Sequence, residues 1–322
     1  MIKDFQTYIN EGLFDRSQSE FIIKKTDKGV EQIYIPRTKS ELYEYIKRLI
    51  DEQGGTDHPN LNNIDISHLH EPGCFDYLFS AINGGFNVCP DISSWKMNKE
   101  CRANGMFAGN NVIKEFVIPD GITQLGEQFF KCASLESVVI HDGISRIGNH
   151  AFQECSNLTS VVIPDTVTVI ENGAFFDCLG LTSIELPDSI TQMGEYVFWD
   201  CNHLEHINIP KGIRTITRSM FTFCSKLESI EIPDNIKGID DHAFSCCGLK
   251  SIVIPNSVTY IEPYAFYECF SLERVEIPDS MKKIGDDAFE SCRNLKSLEI
   301  PDKCRIDGRI APLPTKITRR RT

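Results

Sequence analysis

The chain has 322 residues with a net charge of −13; 41% of them are hydrophobic and 25% charged, the usual proportions of a folded globular protein with room for one large core or two domains. The negative balance excludes a general nucleic-acid binder, because a polyanion is repelled over most of such a surface. No run of about 18 apolar residues occurs, which excludes a membrane-spanning helix.

The opening stretch MIKDFQTYINEGLF mixes charged and polar residues with apolar ones. It lacks the continuous apolar core and small-residue cleavage site of a secretory signal, so a cytoplasmic location is the default expectation. FIIKKTDKGVEQIYIP holds two alternating strands around Thr26-Asp27-Lys28-Gly29, a hairpin pattern. TKSELYEYIKRLIDEQGG follows with a polar N-cap, an apolar stripe at Leu42, Ile46, Leu49 and Ile50, and a glycine stop, which predicts a helix. Residues 1–60 therefore read as a small α+β cap, placed to cover the open end of whatever follows.

His68, His70 and Cys74 in DISHLHEPGC are the nearest approach to a zinc site. No second pair at ligand spacing follows, only scattered Cys89 and Cys101, and the stretch reads as a surface turn with no metal. Residues 61–117 read as divergent repeats.

From Ile118 to Ile300 one unit of about 23 residues recurs eight times. It runs Ile-Pro-Asp-x-Val-x-x-Ile-Gly-x-x-Ala-Phe-x-x-Cys-x-x-Leu-x-Ser-Ile-x-Ile, with small variations. The phenylalanine slot holds Phe130, Phe152, Phe175, Phe198, Phe221, Phe244, Phe266 and Phe289. The cysteine slot holds Cys132, Cys155, Cys178, Cys201, Cys224, Cys247, Cys269 and Cys292.

A ladder of thiols could be a redox device, a metal stack or a column of small apolar fillers. Stacked coils nearly allow the 5–6 Å Cα separation of a disulfide. An incomplete unit around Phe107 carries Asn110 in the same slot, and asparagine serves neither a disulfide nor a thiolate site. The slot is therefore read as a buried turn position filled by a residue able to bond backbone. Thirteen cysteines, an odd number, also fit poorly with a secreted disulfide framework.

Within each unit, LTSIEL alternates Leu181, Ile184 and Leu186 with polar Ser183 and Glu185, the period of a strand with one covered face. Proline then ends the ladder in most copies. VTVI, with Val167 and Ile170, supplies a second short strand, and NGAFFDC turns the chain back with Phe175 inward. One unit cannot bury its own apolar face, whereas stacked neighbours can. The expected fold is a repeat solenoid of parallel strands. At roughly 4.8 Å per coil, eight coils extend on the order of 40 Å.

IPDSITQMGEYVFWDCNHLEHINIP and its siblings resemble the BspA-type leucine-rich repeat, found in surface proteins of anaerobic bacteria and some protists. LFSAINGGFNVCPDISSWKM, with Phe79, Trp95 and Phe107 in the apolar slots, resembles the second repeat type of that family. The resemblance implies a right-handed leucine-rich-repeat coil and adhesion-type recognition of a protein, at the cell surface if the analogy extends that far. An intracellular or phage-encoded scaffold built on the same solenoid is the alternative.

Residues 301–322 read as a C-terminal cap and basic tail, with Arg319, Arg320 and Arg321 solvated and disordered. The paired acids Asp240–Asp241 and Asp286–Asp287 read as solubilising. No Ser or Cys nucleophile has a placed His, no carboxylate pair stands out, and the glycines form no phosphate loop; the chain is not read as an enzyme and implies no cofactor.

What remains is the outward face of the main strands. One column reads Ser137, Ser160, Ser183, His206, Ser229, Ser251, Arg274, Ser297; the other reads Val139, Val162, Glu185, Asn208, Glu231, Val253, Glu276, Glu299. Glu185, His206, Asn208, Glu231, Arg274, Glu276 and Glu299 are the predicted contact residues for a protein partner, on a chain expected to be monomeric.

Overall fold

The structure, a computed structural model, describes residues 20–26, 29–36, 38–61, 64, 75–76, 78–80, 86–92, 95, 103–118, 122–132, 134–312 and 314–321. His68, His70, Cys74 and Cys101 lie outside the described residues. Strands β1 (Glu20–Thr26) and β2 (Gly29–Ile35) pair antiparallel; Asp27 and Lys28 of the predicted turn lie outside the described residues. Helix α1 (Lys39–Glu52) is capped by Thr38, whose Oγ1 accepts from the Glu41 N–H at 3.2 Å. Its Leu42 and Ile46 are fully buried, and Leu49 and Ile50 pack against the same core.

The repeats form a parallel solenoid in which most coils contribute two short strands and one tight corner. The first ladder joins Glu115–Val117, Ser137–Val139 and Ser160–Val162 in register, one coil to the next. Val138, Val161 and Ile184 point inward, between 4% and 6% exposed. The second strands form two ladders: one joins Gln124–Leu125, Arg146–Ile147, Val169–Ile170 and Gln192–Met193, and a separate one runs from Thr215–Ile216 to Arg305–Ile306.

The corner follows from its backbone. Residues two before and two after the phenylalanine adopt left-handed conformations: His150 (φ 54) and Glu154 (φ 59) around Phe152, Tyr196 (φ 59) and Asp200 (φ 55) around Phe198. Each non-glycine there costs on the order of 1 kcal/mol or more; Gly173 (φ 58) takes the position in its own coil without that penalty. In return the N–H groups at the two left-handed positions and the phenylalanine all point at the next coil. His150 N–H donates to Asn172 O at 2.9 Å, Phe152 N–H to Ala174 O at 2.8 Å and Glu154 N–H to Phe176 O at 2.8 Å.

Inside this corner, phenylalanine rings from Phe79 to Phe289 form one continuous offset stack. Neighbouring centroids lie 5.1 to 5.8 Å apart. The cysteine slot backs onto the stack. Cys178 Sγ donates to Phe152 O at 3.1 Å, Cys201 Sγ to Phe175 O at 3.1 Å and Cys269 Sγ to Phe244 O at 3.0 Å. Asn110 makes the equivalent bond to Phe79 O at 2.9 Å, adds one to Val88 O at 2.8 Å, and accepts from Val112 and Ile113 N–H.

The basic tail departs from the sequence expectation. Lys316–Arg320 is a strand that pairs parallel with Ser297–Pro301. Arg320 donates to Asp279 at 2.7 Å and to Ile277 O at 2.6 Å, while Arg319 donates to the carbonyls of Pro301, Asp302 and Cys304. Each guanidinium therefore collects several acceptors at the solenoid's end, which orders the tail.

Asn110→Ala leaves buried backbone groups without partners and is expected to destabilise the protein by about 2–4 kcal/mol in urea unfolding. Asn110→Cys, able to reach the Phe79 carbonyl, should lose less. Arg320→Ala should raise amide exchange across Lys316–Arg320 while leaving the central repeats protected.

Candidate functional site

The strand ladder turns every second side chain to solvent, and this assembles the predicted contact residues on one face. Glu185, His206, Glu231, Arg274, Glu276 and Glu299 are all exposed. His206 stands beside Ser183 in register, and Arg274 and Glu276 stand beside Ser251 and Val253. Arg274 ion-pairs with Glu276 at 2.6 Å; the pair is solvent-exposed and adds little stability. Val117, Val139 and Val162 continue the outer column, between 55% and 73% exposed. One end of the face is thus apolar and the other acidic.

Asn208 differs from its neighbours in the column. It is half-buried, its Oδ1 accepts from the Leu186 N–H at 2.7 Å, and its Nδ2 donates to Leu186 O at 2.7 Å. Spacing alone places it among the contact residues, but its amide is bound to the preceding coil. Two grooves open on this face, of about 580 Å³ and about 710 Å³. They share Ser229, Ile230 and Glu231 as a common wall.

The thiols sit elsewhere, in the core. Cys155, Cys178, Cys201, Cys224 and Cys269 are fully buried, and desolvation pushes all five thiols well up from their ordinary value. Burial pushes Cys247 up to about 12. A thiol held neutral is neither a nucleophile nor a metal ligand. Among the described residues no group of three or more His, Cys, Asp or Glu side chains stands together to hold a metal.

The paired acids do more than solubilise. Asp241 pairs with Arg218 at 3.2 Å, and Asp286 Oδ1 accepts from the Arg309 N–H at 3.0 Å. Burial, then Glu262, raises the Asp240 carboxyl, which receives the Tyr260 hydroxyl at 3.5 Å. These acids tie neighbouring coils together.

An outer aromatic stack escaped sequence reading. Phe176 and Trp199 stack at 4.4 Å, and Trp199 meets Phe223 edge-on at 5.2 Å. The signal was present one and two residues after the phenylalanine slot, where aromatics recur in adjacent copies. The rings cover one another's faces, so the stack braces the corner from outside.

Parallel coils with a buried phenylalanine column and one exposed strand face define a leucine-rich-repeat solenoid. The chain belongs to the BspA-type leucine-rich repeat family: the pattern of the BspA type Leucine rich repeat region matches in six copies, over residues 76–159, 145–273 and 237–310. No curated protein matches the chain. Among solved structures it is similar to a leucine-rich repeat protein from Bacteroides ovatus ATCC 8483, at 26% identity over 67% of this chain and 77% of that one, with a TM-score of 0.45. It is also similar to the T. pallidum leucine rich repeat protein TpLRR, at 23% identity over 57% and 78%, TM-score 0.41. The pneumococcal vaccine antigen PcpA follows at 18% identity over 72% and 69%, TM-score 0.43.

The neutral thiols impose a sign on pH dependence. Their folded pKa values lie above the ordinary 9.0, so the unfolded chain loses these protons first. The stabilisation is complete below about pH 9 and is lost as pH climbs towards 12. The urea midpoint should hold from pH 7 to 8.5 and fall above 9, and Cys178→Ala/Cys201→Ala should flatten that fall. Under native conditions, half-buried Cys89 and Cys246 should react with a thiol reagent before any ladder cysteine does.

Proposed function

We propose that this chain is a non-enzymatic, protein-binding solenoid that recognises its partner in adhesion-type fashion through the exposed strand face. The observation that carries the reading is the alignment of Glu185, Glu231, Glu276 and Glu299 on that face, exposed and held on paired or core-anchored backbone. Family membership supports it, since leucine-rich repeats commonly mediate protein interaction and are typically non-enzymatic. A rigid face with apolar residues at one end and carboxylates at the other supplies both contact area and charge-based selection. His206 and Arg274 diversify an otherwise serine-rich column and belong to the same surface; Asn208 contributes by shaping it.

The test is affinity capture from a candidate host or matrix extract, with mass spectrometry to identify the partner. Glu185→Lys, Glu231→Lys and Glu276→Lys together should weaken capture at least tenfold while the circular dichroism spectrum and urea midpoint stay close to wild type. Unchanged capture removes this face from consideration. Light scattering of the free protein should return a monomer mass.

A further inference from the structure

The strand face is not uniform: its ladder is interrupted between Glu276 and Ser297 as well as at Ser229–Glu231, where a whole segment lies outside any strand. In two other coils the residue after the outer column donates its N–H to the neighbouring main chain: Ile118 to Val139 O at 3.3 Å and Ile254 to Glu276 O at 3.0 Å. In the coil of Leu186 that place is taken by the Asn208 side chain, which occupies both Leu186 N–H and O. The Asn208 coil keeps its pairing with the preceding coil at His206 and Ile207, but it meets Leu186 through its side chain, and the next segment, Ser229–Glu231, has no strand partner on either side among the described residues. No backbone hydrogen bond links Ser229, Ile230 or Glu231 to an adjacent coil among the described residues.

Two further observations place an opening at the same coil. Ile207 and Ile230 are half-buried where their equivalents Val161, Ile184 and Ile252 are 2% to 6% exposed. The Phe198–Phe221 spacing of 5.8 Å is the widest in the phenylalanine stack. The corner nevertheless keeps its bonds, with Phe198 N–H on Met220 O at 3.0 Å and Asp200 N–H on Thr222 O at 2.8 Å. The coils are therefore closed at the corner and open at the strands, and the two grooves are that opening.

We infer that this opening takes an extended, basic peptide segment of the partner, seating two Lys or Arg side chains in the two grooves. The inference rests on the strand face being the binding face. Three features of the lining select that occupant. Glu185 and Glu231 border one groove, and Glu231 and Asp234 the other, where Glu276 is already paired with Arg274; neither lining includes a Lys or Arg. Half-buried Ile207 and Ile230 offer apolar wall to the aliphatic stem of a long basic side chain. The free carbonyls of Ser229–Glu231 accept the remaining N–H donors of an ammonium or guanidinium, and a guanidinium has five. The grooves share the Ser229–Glu231 segment as a wall; one spans four coils, from Ser160 to Glu231, and the other three, from Ser229 to Pro278. Their centres therefore lie about two to three coil spacings of ~4.8 Å apart, and every fourth side chain of an extended peptide lies about 13 Å on. The pattern that fits is a basic residue, any three residues, then a second basic residue.

The probe is a labelled synthetic peptide, Gly-Ser-Arg-Ser-Ser-Ser-Arg-Ser-Gly, titrated by fluorescence anisotropy at low salt beside its Glu-for-Arg counterpart. The Arg peptide should bind saturably and at least tenfold more tightly than the Glu peptide. Asn208→Val, the residue found at this position in sister coils, frees Leu186 to rejoin the main-chain ladder. It should protect the Ser229–Glu231 amides from hydrogen exchange and weaken the Arg peptide about tenfold. Glu231→Gln, a surface change between both grooves, should weaken it at least fivefold with no change in fold. Equal binding of the two peptides, or Arg-peptide binding indifferent to both Asn208→Val and Glu231→Gln, overturns the inference. If the triple Glu→Lys protein loses its captured partner while the peptide never binds, the groove inference fails and the strand face stands. If capture is unchanged in the triple variant, the face itself falls.

Discussion

The structure depends on one repeated interaction: three backbone N–H groups per corner, all aimed at carbonyls of the following coil. A helix or an ordinary strand alternates or internalises its polar groups; this corner sends them along the solenoid axis. That geometry demands left-handed backbone on both sides of the phenylalanine, a conformation most L-residues avoid. The strain persists because the hydrogen bonds and the buried ring stack over-determine it. Once the corner is set, the phenylalanine has a single place to go, over the ring of the preceding coil. The cysteine slot is then confined behind it, where a small side chain fits and, at Cys178, Cys201, Cys224, Cys269 and Cys292, gives its hydrogen to a Phe carbonyl.

The same directionality makes the two ends of the solenoid unequal. At the C-terminal end the last corner presents donors with no following coil. Asp287 and Phe289 N–H are met instead by Arg309 O at 2.6 Å and Ile310 O at 2.8 Å, from a segment with no repeat pattern. Beyond it, Lys316–Arg320 covers the last main strand, and its charged side chains discourage further strand addition. At the other end, α1 buries Leu42 and Ile46 in the common core. Terminal units of a solenoid must differ from internal ones because each has only one neighbour.

Much of this was legible in the residues. Period-2 alternation located the main strands, the Phe and Cys columns located the corner, and Asn110 among the cysteines argued for backbone bonding over redox chemistry. The tail was misread because a run of arginines resembles a solvated end until its acceptors are visible, and those carbonyls come from residues 277–304. The paired acids were misread for the same reason: Asp286 looks free until Arg309 N–H, 23 residues away, is brought beside it. The site columns were correctly ordered by spacing, yet spacing treats Asn208 and Glu231 alike. The difference lies in reach, since the short amide of Asn208 folds back onto Leu186 and carries both a donor and an acceptor, whereas a carboxylate has no hydrogen to donate.

Separation of corner from strand face also explains how a repeat so uniform can carry a specific site. In a solenoid each coil contacts only its neighbours, so stability is nearly a sum of local terms. The corner supplies those terms continuously, and its bonds run unbroken past the coil where the strand ladder stops. Loss of several strand hydrogen bonds, each contributing about 1 kcal/mol net, is therefore tolerated without losing the stack. A one-residue change from valine or glutamate to asparagine alters which groups are paired, leaves the core residues in place, and opens a groove in a surface that would otherwise be flat. Conformity is demanded of Phe198 and Cys201; Asn208 and Glu231 are free to depart from it, and the departures are what a partner can recognise.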